Sequence, residues 1–325
     1  MENLSSTKGA SYAKLSVMNL GVWIVILLGL IAPSSSFAGR LAEFTVGEIA
    51  PGVFVHQGLI EPMSARNLGD IANIGFIVGD DCVAVIDTGG SPWIGAALRA
   101  AVEAQTEKPV CYVINTHAHP DHVLGNSAFL VLHPTFIAHR NYAQALGARM
   151  QTYLGRFSRL YDQTLTSNVI VPPDRTVSDT ATVDLGNRVL KLTALRTGHT
   201  NSDLIVFDHQ TSVLWAGDTL FVRHIPVLDG SIVGWLKIMK RLQKMPAERA
   251  VPGHGPASVP WPEATKAQRR YLSTLATGIK AVIHRGGTIE EAVKTVGYKE
   301  RNRWLLFDEY HRRNITAAFA ELEWE

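Results

Sequence analysis

The heptapeptide Thr116-His117-Ala118-His119-Pro120-Asp121-His122 follows directly on the apolar run from Pro109 to Ile114. It restricts what this chain can fold into more than any other stretch does. Three imidazoles and a carboxylate fall within six residues at what reads as a strand end. In extended chain, residues two apart point the same way, so His117 and His119 can grip one cation. Asp121 and His122, opening the next helix, then face a neighbouring position. Three more candidates sit in Gly-containing turns after apolar runs: His199 in Thr197-Gly198-His199-Thr200, Asp218 in Ala216-Gly217-Asp218-Thr219, and His254 in Pro252-Gly253-His254-Gly255. Taken singly, a histidine in such a loop is more often a hydrogen-bonded surface residue, and Asp218 could simply cap a turn. Together with the cluster they read as a seven-ligand set for two metal ions, with Gly217 leaving room for close approach.

The remaining composition sets the bounds. At 325 residues and 46% hydrophobic content the chain can fill a large core, and a net charge of +2 without a basic run argues against a nucleic-acid partner. Residues 1–38 read as an export signal: Lys8 and Lys14, an apolar run from Leu20 to Ala32, and small residues at Ser36 and Ala38 for cleavage. The expectation is a periplasmic or secreted protein with no membrane association after cleavage, the competing reading being an uncleaved anchor. Export permits a disulfide between Cys82 and Cys111, and two buried thiols are the other reading.

Short Val/Ile/Phe-rich runs separated by Gly and Asp turns predict strands within 44–57, 71–78, 82–86 and 110–114. Ser91 and Pro92 predict a capped helix with an apolar stripe through Ile94, Ala97, Leu98 and Val102. A helix is expected from about Asn141 to Tyr161. The second half repeats the rhythm, with strands at 189–195, 204–207, 213–215 and 250–251 and a helix from Ile232 to about Lys244. Two halves, each of strands then helices, predict an α/β fold of two face-to-face sheets with helices outside, a four-layer αββα sandwich. Residues 39–257 form the expected catalytic domain, and 258–325 a helical extension packed on it.

In this order, Asp87 in Val85-Ile86-Asp87-Thr88-Gly89, the histidine cluster, His199, Asp218 and His254 resemble the five motifs of the metallo-β-lactamase superfamily. The resemblance implies one zinc on His117, His119 and His199, a second on Asp121, His122 and His254, and Asp218 bridging them. Asp87 would stand behind the metals and orient a ligand histidine. The stretches Gly69 to Gly75, Val113 to His117 and Leu228 to Ser231 further resemble exported metallohydrolases associated with bacterial quinoprotein dehydrogenase and sulfur-oxidation systems, which makes such a periplasmic system the expected associate.

Two zinc ions share a water and supply hydroxide at neutral pH, so the expected activity is hydrolysis of an ester-like, thioester, lactone or lactam bond in a small molecule. Asp121 and Asp218 would act at the reacting water. Iron or manganese are alternative occupants. An imidazole at 119, where the redox diiron relatives carry glutamate, favours zinc. The bridging Asp218 argues against a dedicated β-lactamase, since those enzymes generally lack it. Two alternatives stand beside this: an iron-dependent persulfide dioxygenase, and a non-catalytic metal-binding accessory of a periplasmic redox system. Asn73, Arg223 and His224 are the substrate-binding candidates, and Arg66 lies in the same loop region as Asn73. Trp235 and the histidines at 56, 133, 139, 209, 284 and 311 read as structural.

Overall fold

A computed structural model describes residues 44–325. The expected export signal lies outside them, and among the described residues no helix is long and apolar enough to cross a membrane. Thirteen strands form two sheets. The first runs β1 (Gly47–Ala50), β2 (Val53–His56), β3 (Ile74–Val78), β4 (Val83–Ile86), β5 (Val110–Ile114), β6 (Thr135–His139) and β7 (Arg175–Val177) in spatial order. The second contains β8 (Thr180–Asp184), β9 (Val189–Ala194), β10 (Leu204–Asp208), β11 (Val213–Phe221), β12 (Arg249–His254) and β13 (Val259–Pro260), ordered β13-β12-β11-β10-β9-β8. Hairpin partners pair antiparallel, whereas β4 to β7 pair parallel, as do β11 and β12. The helices are α1 (Pro92–Gln105), α2 (Pro120–Val123), α3 (Tyr142–Tyr161), α4 (Ile232–Leu242), α5 (Thr265–His284), α6 (Ile289–Thr295) and α7 (Phe307–Leu322).

The strands read as continuous apolar runs because both of their faces are covered. In β4, Ala84 and Ile86 enter the core between the sheets, while Val83 and Val85 pack outward against Ile94, Leu98 and Val102 of α1. In β10, Leu204 and Val206 face inward and Ile205 and Phe207 meet Ile238 and Leu242 of α4. Helices therefore flank both sheets, giving the expected four-layer αββα sandwich. Ser91 caps α1 by accepting from the Ile94 amide at 3.3 Å. A third apolar cluster joins Trp235 of α4 and Phe221 of β11 to α5, α6 and α7 through Leu275, Ile279, Ala292 and Ile315.

Four strands went unanticipated: β6, β7, β8 and the two-residue β13. Of these, β7 and β8 are short edge segments with exposed positions, so little apolar alternation marks them. The strand expected at 213–215 continues to Phe221, because β12 supplies a parallel partner across two irregularities in register. Cys82 and Cys111 are joined as a disulfide, with Cα atoms 5.8 Å apart, which fastens the start of β4 to β5.

Arg188 ties the sheets together at the edge away from the histidines. It donates to the carbonyls of Pro51 (3.0 Å) and Val78 (2.8 Å) of the first sheet and pairs with Asp208 of the second at 2.5 Å. Both charges are buried. Replacing Arg188 with leucine strands Asp208 and is expected to cost about 3–5 kcal/mol in chemical denaturation, while Arg188→Leu/Asp208→Leu recovers a substantial part of it.

Candidate metal centre

Every candidate ligand sits at one end of the two sheets. Register places Ile86 opposite Ile114, so β4 delivers Asp87 beside Thr116 and the cluster that follows β5. The loop between β9 and β10 brings His199, and the irregular pairing of β11 with β12 brings Asp218 and His254. Backbone bonds lock these pieces across the sheets: the Leu204 amide donates to the Thr116 carbonyl at 2.7 Å and the Asn73 amide to the Gly253 carbonyl at 2.7 Å. Glycine is required twice. A Cβ at Gly253 would lie 1.9 Å from Asp218 Oδ1, and one at Gly217, where φ is +50°, would lie 2.7 Å from the Thr116 side chain.

Two groups of ligand atoms result, one of His117, His119, His199 and Asp218 and one of Asp121, His122 and His254. Asp218 faces both. Its Oδ2 is 3.2 Å from His199 Nε2 and 3.7 Å from His117 Nε2, whereas Oδ1 is 3.1 Å from His122 Nε2 and 3.3 Å from His254 Nε2. Asp121 Oδ2 lies 3.3 Å from His254 Nε2.

The outer nitrogens settle the tautomers. His122 Nδ1 donates to Asp87 Oδ2 (2.8 Å), His199 Nδ1 to the Val227 carbonyl (2.7 Å) and His254 Nδ1 to the Ile71 carbonyl (2.8 Å). His119 donates through Nε2 to Asp229 (2.9 Å). His117 Nδ1 is 3.1 Å from the Thr116 hydroxyl, which itself donates to Asp87 at 2.7 Å. Each of the five rings therefore turns its other nitrogen inward as a lone pair. His199 Nε2 and His119 Nδ1 meet at 2.9 Å, and His117 Nε2, His122 Nε2 and Asp218 Oδ1 are buried without a hydrogen-bond partner. Lone pairs converging at this distance repel unless a cation lies where they point, so the donor set fits divalent metal.

Electrostatics lead the same way. Burial pushes Asp218 and Asp121 toward the neutral acid, but the imidazoles win, holding Asp218 well below the usual carboxylate range and Asp121 at about 2. In return, although burial works to lower His254, the carboxylates of Asp218 and Asp121 raise it to about 9. Burial, followed by His122, keeps His117 well below the ordinary histidine range. The carboxylates thus call for positive charge that a cation supplies without protonating the inward nitrogens.

Asp87 stands behind Thr116 and His122. Held at φ +55°, a conformation unusual for a non-glycine residue, it accepts from the Thr116 amide (2.8 Å) and hydroxyl and from His122. The substrate-binding expectations fare differently. Asn73 does not line the cavity beside the ligands: its side chain is buried and donates to the Pro252 (2.8 Å) and Pro256 (3.2 Å) carbonyls, bracing the His254 loop. Arg223 is exposed and away from that cavity. His224 does line it, with Nδ1 donating to the Ile225 carbonyl at 2.5 Å, and burial, aided by His254, lowers its pKa to about 4. Trp235 packs behind His199, with ring centres 5.3 Å apart. His56, His139 and His311 are held by Asp70, the Leu195 carbonyl and Tyr271 respectively, as structural residues.

Sequence reasoning missed Asp229, which holds His119 and pairs with Arg149 at 2.5 Å and Arg313 at 3.3 Å. It also missed the wall that α3 and α7 build around the 230 Å³ cavity, formed by Arg149, Tyr153, Arg156, Tyr310 and Arg313. The one available signal was the spacing of 149, 153 and 156 along one helix face, which an ordinary solvated face also shows. Asp87→Asn would set an amide donor against His122 Nδ1 or Thr116, and it is expected to weaken divalent-metal affinity about 10–100-fold in chelator competition while the fold persists.

Known structures share the architecture. A metallo-beta-lactamase from Pontibacter korlensis is 20% identical and aligns over 71% of this chain and 99% of its own, with a TM-score of 0.56. A second, from Hirschia baltica, is 18% identical over 71% and 97%, with a TM-score of 0.55. The stereoselective inverting sec-alkylsulfatase Pisa1 from Pseudomonas sp. is 17% identical with a TM-score of 0.64, covering 88% of this chain, which spans only 52% of the sulfatase. At these identities the likeness is one of fold. Comparison with curated proteins by sequence gives no match. The family model for the metallo-beta-lactamase superfamily matches residues 68–254, more than half of the chain, and with the ligand geometry described above this chain belongs to that superfamily.

Proposed function

We propose that this chain is an exported dinuclear zinc hydrolase acting on an ester-like, thioester, lactone or lactam bond of a small molecule. The observation that carries the reading is the division of Asp218, with one carboxylate oxygen toward His117 and His199 and the other toward His122 and His254. His117, His119 and His199 would hold one zinc, Asp121, His122 and His254 the other, and Asp218 would span both. When bound, two zinc ions supply hydroxide at neutral pH and polarise the bond to be cleaved.

The protein's own groups do the rest. Asp121, ionised down to about pH 2 and lining the cavity, accepts a hydrogen bond from the attacking water and orients it. His224 stays neutral down to about pH 4, and with Nδ1 committed to Ile225 its Nε2 is the acceptor it offers to the cavity. The apolar flank of Met63, Ile71 and Phe157 limits bulk water around the substrate. A sulfatase among the structural neighbours agrees with an ester-like bond, and the complete second group of ligands favours two metals over the single iron of a dioxygenase. Placement in a periplasmic quinoprotein or sulfur-oxidation system is part of the same reading and rests on the resemblance.

Protein purified from its native compartment without added metal should carry about two zinc per chain by plasma mass spectrometry. His117→Ala should lose metal and ester hydrolysis together while retaining the native circular dichroism spectrum. About one iron per chain, with oxygen uptake on persulfides, would replace hydrolysis by sulfur oxidation, and full zinc without turnover across ester, thioester, lactone and lactam panels would leave a metal-binding accessory.

A further inference from the structure

Apart from the ligand carboxylates Asp121 and Asp218 and four histidines, the charged side chains on the wall of the cavity are all arginines: Arg149, Arg156 and Arg313. They come from two helices far apart in sequence, α3 and α7, and converge on one opening. Asp229 answers Arg149 at 2.5 Å and Arg313 at 3.3 Å, and it also accepts from His119. One carboxylate therefore serves three cationic or donor groups. Arg156 has no carboxylate partner among the described residues, and neither does the Tyr310 hydroxyl have a hydrogen-bond partner there. Burial, followed by the Asp121 carboxylate, raises the pKa of Tyr310, so its hydroxyl keeps its proton at neutral pH. Met63, Ile71 and Phe157 give the cavity an apolar part, with the Arg156 guanidinium 5.5 Å from the Phe157 ring centre, and 230 Å³ is small beside the roughly 300–1,000 Å³ of pockets for drug-sized ligands.

Resting on the hydrolase reading above, we propose that the substrate is a small organic carboxylate with a short apolar body, its carboxylate held by Arg156 and Arg313 with the Tyr310 hydroxyl, and its scissile bond directed at Asp218. The planar guanidinium fork matches a carboxylate in two parallel hydrogen bonds. Asp229 shows that a carboxylate fits between the two helices, with Arg149 of α3 on one oxygen and Arg313 of α7 on the other. Arg156 and Arg313 select the substrate, while the metal cluster and Asp121 carry out the reaction.

The zinc-loaded full chain should be assayed at pH 7 on two esters of matched size, mono-(para-nitrophenyl) glutarate, which carries a carboxylate, and para-nitrophenyl 5-methylhexanoate, in which an isopropyl group replaces it. The expected result is a kcat/KM at least tenfold higher for the glutarate ester. Arg156→Ala should erode that ratio tenfold or more, chiefly through KM, with Arg156→Lys restoring part of it, and Arg313→Ala should lower the ratio as well, on top of any fall on both esters that comes through Asp229 and His119. Equal efficiency on the two esters, or an equal fall on both in the arginine variants, overturns the proposal. If neither ester is cleaved, the hydrolase reading fails separately, and calorimetric titration of glutarate into the wild type and the two alanine variants still decides. Binding weakened tenfold by either substitution supports the carboxylate clamp, and binding that is absent in the wild type or unchanged in the variants rejects it.

Discussion

Repulsion among converging lone pairs is the constraint around which this molecule is arranged. Five imidazole nitrogens and two carboxylates point into one buried space, an arrangement that no unsupported chain would keep. Each ring is held there from behind. Asp87 and Thr116 hold His122 and His117, Asp229 holds His119, and main-chain carbonyls of Val227 and Ile71 hold His199 and His254. The outward hydrogen bonds fix the tautomers, and the tautomers turn the buried space into a site for cations. The strain at Asp87 and the close approach at Gly253 both serve this placement.

The sandwich supplies the rigidity. Parallel pairing of β4 with β5 sets Asp87 beside the histidine cluster, and parallel pairing of β11 with β12 sets Asp218 beside His254. Both pairs end at the same edge of the molecule, where strand ends of α/β sheets commonly carry ligands. At the opposite edge Arg188 clamps the two sheets, so the spacing between the halves of the site is controlled from far away.

Much of this was legible in the residues. Short apolar runs set off by Gly and Asp turns gave β3, β4, β5, β9 and β10, and Ser91-Pro92 gave the start of α1. The ligand set was readable because seven metal-binding side chains are rare in such company, and because strand periodicity places His117 and His119 on one side. The cavity wall was not readable. Arg149, Arg156, Tyr310 and Arg313 look like solvated helix residues until α3 and α7 are placed against the cluster, which is tertiary information. Asn73 misled for the complementary reason: a polar side chain beside a glycine-rich turn can serve a ligand or the backbone, and here the proline carbonyls of the His254 loop take its amide. Asp229 showed itself in sequence only as part of a Leu-Asp-Gly-Ser turn, and its tie to His119 spans 110 residues.

That tie gives the site an uneven capacity for change. A substitution at Arg149 or Arg313 alters the charge balance on Asp229 and so reaches His119, which couples any drift in substrate range to how firmly the cluster holds its cation. Arg156 carries no such connection among the described residues. It is the position on the wall where selectivity can wander under selection while the metal chemistry is left alone, so divergence among near relatives of this chain should concentrate there before it touches the arginines bound to Asp229.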